Sequence, residues 1–257
     1  MKVMIKFVKK CCTIGTLFSL FCVSACKQED QELQRVSSLT LVHAVVGAGT
    51  LKTNFKGRQP IRYMTANQVN YGVWFTTGGQ YTINSKNKEL GLFHVPDTLP
   101  DSEPLFLIPI DADAAPIQTL FLTGTLQNPE YRTVNEQLPR LSPADSLVGV
   151  RFVHLAPDQS AVDVYIRGSD RPQQEISYLD KINNNFHMLS AKKGTPPYVF
   201  EFRDAISGQV LCEFSLDIST ESLNTNIYRN RSVSLVLTGG PHKLTSPSFS
   251  TILVHHF

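Results

Sequence analysis

The sequence predicts an all-β protein built as two tandem antiparallel β-sandwiches. Three observations favour this fold class: short stretches in which apolar and polar residues alternate, turns rich in Gly, Pro and Asn between them, and an internal repeat. Long amphipathic helical periods are absent from the sequence. About seven short strands are expected in each repeat, as in an immunoglobulin-like sandwich.

Residues 1–25 have the three-part composition of a bacterial signal peptide. Four lysines lie among the first ten residues, an apolar run occupies residues 11–22, and the small residues Val23, Ser24 and Ala25 follow. The apolar run is too short to cross a bilayer as an ordinary transmembrane helix. We therefore expect residues 1–25 to be removed by cleavage.

The four residues that end at Cys26, with the sequence VSAC, resemble the lipobox of bacterial lipoproteins. In that motif the cysteine thiol receives diacylglycerol and the cysteine becomes the new N-terminus. Several acyl chains, including a palmitate, attach a protein stably to a membrane, whereas one chain binds only marginally. Cys26 is therefore the predicted lipidation site.

A polar tether is predicted over residues 26–36. Its sequence after Cys26, KQEDQE, resembles the lysine-plus-acidic export signal of surface lipoproteins in the Bacteroidetes group, except that Gln28 stands where an acidic residue is usual. The resemblance implies a lipoprotein of the cell outer membrane that is exposed at the surface.

The charge balance of the mature chain excludes a general nucleic-acid face. The full sequence has 24 Lys and Arg against 22 Asp and Glu, and four of these lysines belong to the signal peptide. The mature 232 residues therefore carry a formal charge of about −2. After acylation of Cys26, Cys212 is the only thiol left in the mature chain, so no intrachain disulfide is expected.

An internal repeat divides the mature chain. Residues 37–57 align without gaps with residues 148–168 at an offset of 111, and LFLTG at 120–124 parallels LVLTG at 235–239 at an offset of 115. Because both ends of the repeat agree in the same order, two copies of one sandwich are predicted. The predicted boundaries are 37–136 for the first, divergent copy, 137–146 for a Pro-containing linker, and 147–257 for the second copy.

Two hairpins are predicted from alternating residues. In the second copy, Tyr198, Phe200 and Phe202 alternate with polar residues before a turn at 205–208 and a second alternating run from Val210. In the first copy, residues 70–75 and 80–83 flank the turn TTGG and suggest another hairpin.

The opening of the second copy resembles the DUF4397 family, an extracytoplasmic bacterial domain of unassigned function that often occurs in tandem. The residues that carry this resemblance are VRFVHLAPD at 150–158 and AVDVYIRG at 161–168. The first copy departs from the motif, since Val45-Val46-Gly47 replaces the Ala-Pro-Asp turn and Lys52 replaces Asp163. The resemblance implies a β-sandwich lipoprotein and no particular chemistry.

Few residues qualify as candidate sites. His43 and His154 occupy equivalent positions on apolar strands, and each is expected to be a half-buried histidine bonded to a neighbouring strand or turn. Asp163 and Tyr165 are expected on an outward face, and Asp158 in an ordinary turn. Together with Trp74, these three are the weak candidates for ligand binding. The ligand-binding residues are otherwise undetermined.

Other potentially reactive residues are assigned structural roles. Asp111 and Asp113 are expected to be a loop acid pair rather than a calcium site. Cys212 is expected to be buried and inert, and His255-His256 to finish an edge strand. GxSxG, HExxH and P-loop motifs do not occur, so no catalytic residue, metal or cofactor is predicted.

The predicted function is a non-enzymatic binding or structural module that is held at the membrane through Cys26. Its partner is expected to be a surface protein or a glycan, which the exposed loops at the ends of the sandwiches would contact. The alternative is a glycan-capture accessory protein, in which exposed aromatic side chains such as Trp74 would form a platform. A hydrolase is the less favoured alternative.

Mass spectrometry of the protein from membranes tests the anchor. The N-terminal peptide is expected to begin at Cys26 and to carry diacylglycerol and an amide-linked acyl chain. Cys26→Ser is expected to abolish acylation and to release the protein from the membrane fraction. A free, unacylated start at another residue would refute the prediction.

Overall fold

Sixteen β-strands and no helix make up the described part of the chain. The computed structural model describes residues 35–58, 60–73, 79–95, 99, 101–179, 182, 184–218, 226–240 and 248–256. The predicted all-β fold class is confirmed. The signal peptide, Cys26 and Trp74 lie outside the described residues.

The first eight strands form two four-stranded sheets. The strands are β1 (Val36–His43), β2 (Thr50–Asn54), β3 (Gln68–Asn70), β4 (Gln80–Asn84), β5 (Glu89–His94), β6 (Phe106–Pro109), β7 (Ile117–Gly124) and β8 (Pro129–Asn135). Outer sheet 1 has the order β3-β2-β5-β6, and inner sheet 1 has the order β4-β1-β7-β8.

The last eight strands repeat this arrangement. They are β9 (Leu147–His154), β10 (Val162–Ile166), β11 (Gln174–Ile176), β12 (His187–Ser190), β13 (Tyr198–Asp204), β14 (Val210–Leu216), β15 (Arg231–Thr238) and β16 (Ser250–His256). Outer sheet 2 has the order β11-β10-β13-β14, and inner sheet 2 has the order β12-β9-β15-β16.

The two copies have the same topology, because each strand of the first has its counterpart eight strands later at the same place in its sheet. The copies differ from the prediction in two respects. Each described copy has eight strands rather than about seven, and each inner sheet contains one parallel pair, β1 with β7 and β9 with β15. The parallel pair arises because the chain leaves the inner sheet, builds the outer one, and then returns beside the first strand in the same direction.

One predicted hairpin is confirmed, whereas the other includes residues 74–78, which lie outside the described residues. β13 and β14 pair antiparallel across the turn that follows Asp204. In the first copy, however, β3 pairs with β2 in outer sheet 1, whereas β4 pairs with β1 in inner sheet 1. β3 and β4 therefore lie in different sheets, and alternation alone does not specify the partner of a strand.

Three hydrophobic cores join the four sheets into layers. One core lies between the two sheets of the first copy and includes Leu41 and Leu90, and a second lies between the sheets of the second copy and includes Phe152 and Phe202. A third core contains residues of both inner sheets: Val42, Ala44, Phe121, Val134, Val153, Leu155, Val236, Ile252 and Val254. Arg35–Phe257 consequently forms one compact unit, in which residues 136–146 connect the copies.

The central strands of the two inner sheets are buried on both faces. All but one or two residues of β1, β7, β9 and β15 are buried, whereas the outer strand β14 has exposed and partly buried residues, and only Leu216 at its end is buried. The sequence of a strand that is buried on both faces is an almost continuous apolar run, without the alternation of apolar and polar residues. The sequences LTLVHAVV, TLFLTG and VRFVHLA have this character because they lie in the middle two layers.

The repeated Thr-Gly pair ends the central strands. Gly124 and Gly239 both have positive φ, 79° and 94°. A Cβ atom at Gly124 would collide with the carbonyl oxygen of Asn128, and one at Gly239 with that of Ser248. These two glycines therefore allow β8 and β16 to turn back closely against β7 and β15.

The third core predicts cooperative unfolding of both copies. Phe121 is fully buried within this core. Phe121→Ala is expected to lower the free energy of unfolding by about 3–5 kcal/mol, and urea unfolding followed by tryptophan fluorescence and circular dichroism should show one transition before and after the change. Ile206→Ala is the control, since Ile206 is 86% exposed. Two well-separated transitions in the unmodified protein would contradict the prediction.

Candidate functional site

The two repeated histidines fix the turns that follow β1 and β9. His43 Nδ1 accepts the backbone N–H of Val45 at 3.3 Å, and His154 Nδ1 accepts that of Ala156 at 3.2 Å. Nδ1 therefore lacks a proton, and Nε2 of His154 donates to the carbonyl of Ser160 at 3.1 Å. The bonding to a turn agrees with the prediction, but burial is complete rather than half, at 0% and 2% exposure.

Both histidines are held in the neutral form. Burial lowers the pKa of His43 to about 4, and the backbone of Gly49 opposes this effect only in part. Nε2 of His43 forms no hydrogen bond of normal geometry with the described residues. Burial also lowers the pKa of His154, against the opposing effect of the Ser160 carbonyl.

Each histidine supports a tyrosine that contacts the other copy. The rings of His154 and Tyr178 meet edge to face with centroids 5.9 Å apart, and the Tyr178 hydroxyl lies 3.4 Å from Thr123 Oγ1 and donates to Glu130 at 3.2 Å. Thr123 Oγ1 itself donates to the carbonyl of Leu155 at 2.8 Å. Burial raises the pKa of Tyr178 to about 12.

The first copy provides the matching half of this contact. His43 and Tyr71 also meet edge to face at 5.9 Å, and the Tyr71 hydroxyl faces Thr238 and Gly239. Burial raises the pKa of Tyr71, and Thr238 and Gly239 reduce this rise in part. The Tyr71 hydroxyl forms no hydrogen bond of normal geometry with the described residues. The Thr-Gly motif of each copy thus receives the tyrosine of the other, and the interface is quasi-symmetric.

A buried ion pair lies between the inner sheets. The Arg151 guanidinium donates two hydrogen bonds of 2.9 Å to the two carboxylate oxygens of Glu136, and both side chains are at most 1% exposed. Burial alone would raise the pKa of Glu136, but the charge and hydrogen bonds of Arg151 outweigh it and the pKa is lowered. The rings of Phe121 and Phe186 flank the guanidinium at 5.9 and 5.0 Å.

Ser234 and His256 complete this buried network. Arg151 Nε donates to Ser234 Oγ at 2.9 Å, and Arg151 Nη2 lies 3.3 Å from His256 Nε2. Because arginine only donates, His256 Nε2 must be the unprotonated acceptor, and Ser234 Oγ donates to it at 2.8 Å. Burial lowers the pKa of His256 to about 4, despite the opposing attraction of Glu136.

A polar cleft opens beside this network, where the connection between the copies passes the second copy. We call it the amide cleft; its volume is about 580 Å³ and it is open to solvent. Four carboxamide side chains, one phenylalanine and one histidine are among its lining residues: Gln137, Gln174, Asn184, Asn185, Phe186 and His187.

Internal hydrogen bonds hold the walls of the amide cleft. Asn184 Oδ1 accepts the backbone N–H of Gln137 at 3.0 Å, and Asn184 Nδ2 donates to the carbonyl of Asn135 at 3.2 Å. His187 Nε2 lies 3.0 Å from Gln174 Oε1, and the imidazole packs on Phe152 with centroids 5.3 Å apart. The cleft is therefore lined by the connecting segment and the second copy, and the first copy contributes the Asn135 carbonyl that holds Asn184.

The structure does not bring the candidate ligand-binding residues together. Asp158 is exposed in the turn after β9 with φ of 63°, whereas Asp163 and Tyr165 lie on the outward face of β10. Tyr165 is covered by the guanidinium of Arg203, 4.4 Å from its ring centroid. Trp74 lies outside the described residues, so its part in a binding surface stays a prediction.

Charged residues cover the outward face of outer sheet 2. Arg167 donates to Glu201 at 2.9 Å and also pairs with Glu213, while Arg203 Nε donates to Glu201 at 3.1 Å. Hydrogen bonds from Arg167 and then Arg203 lower the pKa of Glu201. Arg167, Arg203, Glu201 and Glu213 therefore form ion pairs with one another on this face.

Asp204, which the sequence did not single out, organises the loop around Asp158. Its carboxylate accepts hydrogen bonds from Gln159 Nε2 at 2.8 Å, from Ser160 Oγ at 3.0 Å, and from Ser207 N and Oγ at 2.7 Å each. The backbone and side chain of Ser207 are the main reason that the pKa of Asp204 is lowered. An Asp at the end of a strand before a turn is the only sequence signal for this role.

The remaining candidates have structural roles. Asp111 Oδ1 accepts the backbone N–H of Asp113 at 2.9 Å, which is an ordinary turn bond. Cys212 is a free, partly buried thiol whose pKa is raised by burial. His255 and His256 end the edge strand β16, as predicted, but His256 belongs to the buried network described above.

Comparisons with known proteins do not assign the chain to a family: no family model matches it, and no curated protein matches it at a significant level. The resemblance to the DUF4397 family stays a prediction. Within the described residues there is no group of three or more His, Cys, Asp or Glu placed to hold a metal ion. None of the described segments is a helix long and apolar enough to cross a membrane.

The buried ion pair predicts a specific pattern of stabilities. Arg151→Met leaves Glu136 buried without its counter-charge and is expected to lower the free energy of unfolding by about 3–5 kcal/mol. The double variant Arg151→Met/Glu136→Met removes both charges and should recover most of this loss. Arg203→Met, which breaks a partly exposed pair, serves as the control and should cost about 1 kcal/mol or less. Urea unfolding measures all four proteins; a double variant no more stable than Arg151→Met would contradict the prediction.

The neutral histidines predict a loss of stability in mild acid. The pKa values of His43 and His256 are about 4 in the folded protein, below the usual 6.5. As the pH falls from about 6.5 to 4, the unfolded chain takes up protons that the folded protein does not, so the free energy of unfolding decreases. Each histidine contributes a loss on the order of 3 kcal/mol over this range.

His43→Asn tests this dependence, because the asparagine carbonyl can accept the Val45 N–H without titrating. Urea unfolding at about pH 7 and pH 5 should show a smaller pH dependence for His43→Asn than for the unmodified protein. Equal pH dependence in the two proteins would contradict the assignment of His43 as neutral.

Proposed function

We propose that this chain is an outer-membrane, surface-exposed lipoprotein that acts as a non-enzymatic binding module, with acyl chains on Cys26 as its anchor. The non-enzymatic role is supported by one observation: the carboxylates whose pKa values are shifted are hydrogen-bonded to groups of the protein itself. Glu136, Glu201 and Asp204 are each satisfied by two or more donors from the protein itself. A general acid or base must instead reach a substrate.

The histidines support the same proposal. His43 and His154 hold turns, and His256 accepts hydrogen bonds inside a network that is closed off from solvent. His187 is the histidine at the amide cleft, and it is bonded to the amide of Gln174 rather than to a carboxylate or a nucleophile. No carboxylate is found among the described residues that line the amide cleft, so the paired acids of a glycosidase have no counterpart there.

The binding part of the proposal is supported by the layered fold. Because the two inner sheets are occupied by contacts with each other, only the outer faces, edges and loops are left for recognition. The outward face of outer sheet 2 is occupied by its own ion pairs. The amide cleft, in contrast, is a concave surface of a size that suits a small or extended ligand.

The membrane part of the proposal is supported by the sequence. The lipobox residues 23–26 precede the layered unit, which begins at Arg35 within the last two residues of the predicted tether 26–36. Such a tether would let an acylated protein present the amide cleft to partners beyond the lipid headgroups. A surface protein and a glycan are the two partner classes that we propose.

Site-specific photocrosslinking in intact cells tests the proposal. The lipoprotein would carry a photoreactive phenylalanine analogue at Gln137 in the amide cleft, or at Gln127 as the matched control in the β7–β8 turn. A discrete adduct is expected from position 137 and not from position 127. Equal labelling at both positions would contradict a specific binding site, and chemical conversion of the captured partner by the purified protein would contradict a non-enzymatic role.

A further inference from the structure

We infer that the amide cleft binds a neutral glycan, an inference that rests on the proposed role as a binding module and names its ligand class. Four carboxamides converge there: Gln137 from the connecting segment, Gln174 from β11, and Asn184 and Asn185 from the loop before β12. No charged side chain is found among the described lining residues. The lining thus matches a ligand that is polar and uncharged.

Carboxamides are suited to bind hydroxyl groups, because both groups can donate and accept hydrogen bonds. Each amide offers an N–H₂ donor and a carbonyl acceptor on one planar group, and each sugar hydroxyl can serve in either sense. Neighbouring hydroxyls on a sugar ring are spaced so that one planar amide can bind two of them. A volume of about 580 Å³ has room for two or three sugar units.

Phe186 provides the apolar surface that a sugar ring also needs. One contact of its ring is the Arg151 guanidinium at 5.0 Å, and another is the His256 ring at 5.9 Å in an edge-to-face arrangement. These buried neighbours fix the position of the aromatic ring at the floor of the cleft. The C–H-rich face of a sugar can pack on such a ring while its hydroxyls reach the amides.

The polar groups are held in place before any ligand arrives. Asn184 is fixed by its bonds to Gln137 N and Asn135 O, and Gln174 by its bond to His187. Two of the four amides are therefore prearranged, which lowers the entropic cost of binding. Because these bonds join residues that are far apart in the sequence, no single stretch of the sequence indicates the site.

An extended peptide fits this surface less well. A peptide that adds to a sheet uses the free backbone edge of a strand. The edge strand β12 has only four residues and contributes only its first two, His187 and Met188, to the cleft. Side-chain amides ahead of β12 supply most of the polar lining, which favours a glycan.

Calorimetric titration of the otherwise complete mature chain, made soluble by Cys26→Ser, tests the inference. The probes are maltotriose, cellotriose, laminaritriose, xylotriose, mannotriose and chitotriose, with anionic sialyllactose as a charged counter-probe and a library of extended decapeptides as the peptide arm. At least one neutral trisaccharide is expected to bind. Gln137→Ala/Gln174→Ala is expected to weaken that binding by about ten- to a hundredfold, because two hydrogen-bonding amides are lost.

The matched control is Gln127→Ala/Gln173→Ala, which removes two glutamines that do not line the cleft. Its affinity should stay within about twofold of the unmodified protein, and both double variants should unfold at similar urea concentrations. Binding of none of the neutral trisaccharides, preference for sialyllactose or for peptides, or equal affinity of the two double variants would each overturn the inference.

The two proposals fail in different ways. If the trisaccharides do not bind but the photoreactive group at Gln137 captures a protein, the glycan inference fails while the binding module stands. If a trisaccharide binds at the cleft and is then cleaved, the non-enzymatic role fails while the location of the glycan site stands.

Discussion

Burial of both faces of the central strands of the two inner sheets is the constraint on which the rest of the structure depends. A strand in the middle of such a stack has no solvent side, so each polar group there needs a partner from the protein. Arg151 meets this requirement with Glu136, Ser234 and His256, and the repeated His43 meets it with a backbone amide. The polar residues of the middle layers are thus the ones that fix the relation between the copies.

This arrangement separates the residues that stabilise the interior from the cleft that we propose for recognition. The residues with the most displaced pKa values serve the interior and the turns, where they neutralise charge or hold backbone. The amide cleft is instead lined by uncharged side chains and is open to solvent. It still contacts the buried network, because the ring of its lining residue Phe186 covers Arg151. A change to the buried network would therefore reach the cleft through the position of one aromatic ring.

Sequence reasoning succeeded where the signal was local or repeated. The alternation from Tyr198 to Leu216 predicted β13 and β14, since both strands belong to one hairpin. Alternation did not indicate that β3 and β4 belong to different sheets, because it does not specify which sheet a strand joins. Arg151 was missed since arginine is usually exposed, although the continuous apolar residues around it were a signal of two-sided burial. The amide cleft combines Gln137, Gln174 and Asn184, whose approach depends on tertiary packing.

The quasi-symmetric contact, in which the tyrosine of each copy meets the Thr-Gly of the other, has an evolutionary consequence. A face that complements a copy of itself is the kind that forms a two-fold homodimer. A single-copy ancestor with this face would have assembled only at sufficient concentration, whereas joining two copies in one polypeptide makes the encounter intramolecular. Fusion also frees the halves to diverge, so that Gln137 of the connecting segment and Asn184 of the second copy can form the amide cleft.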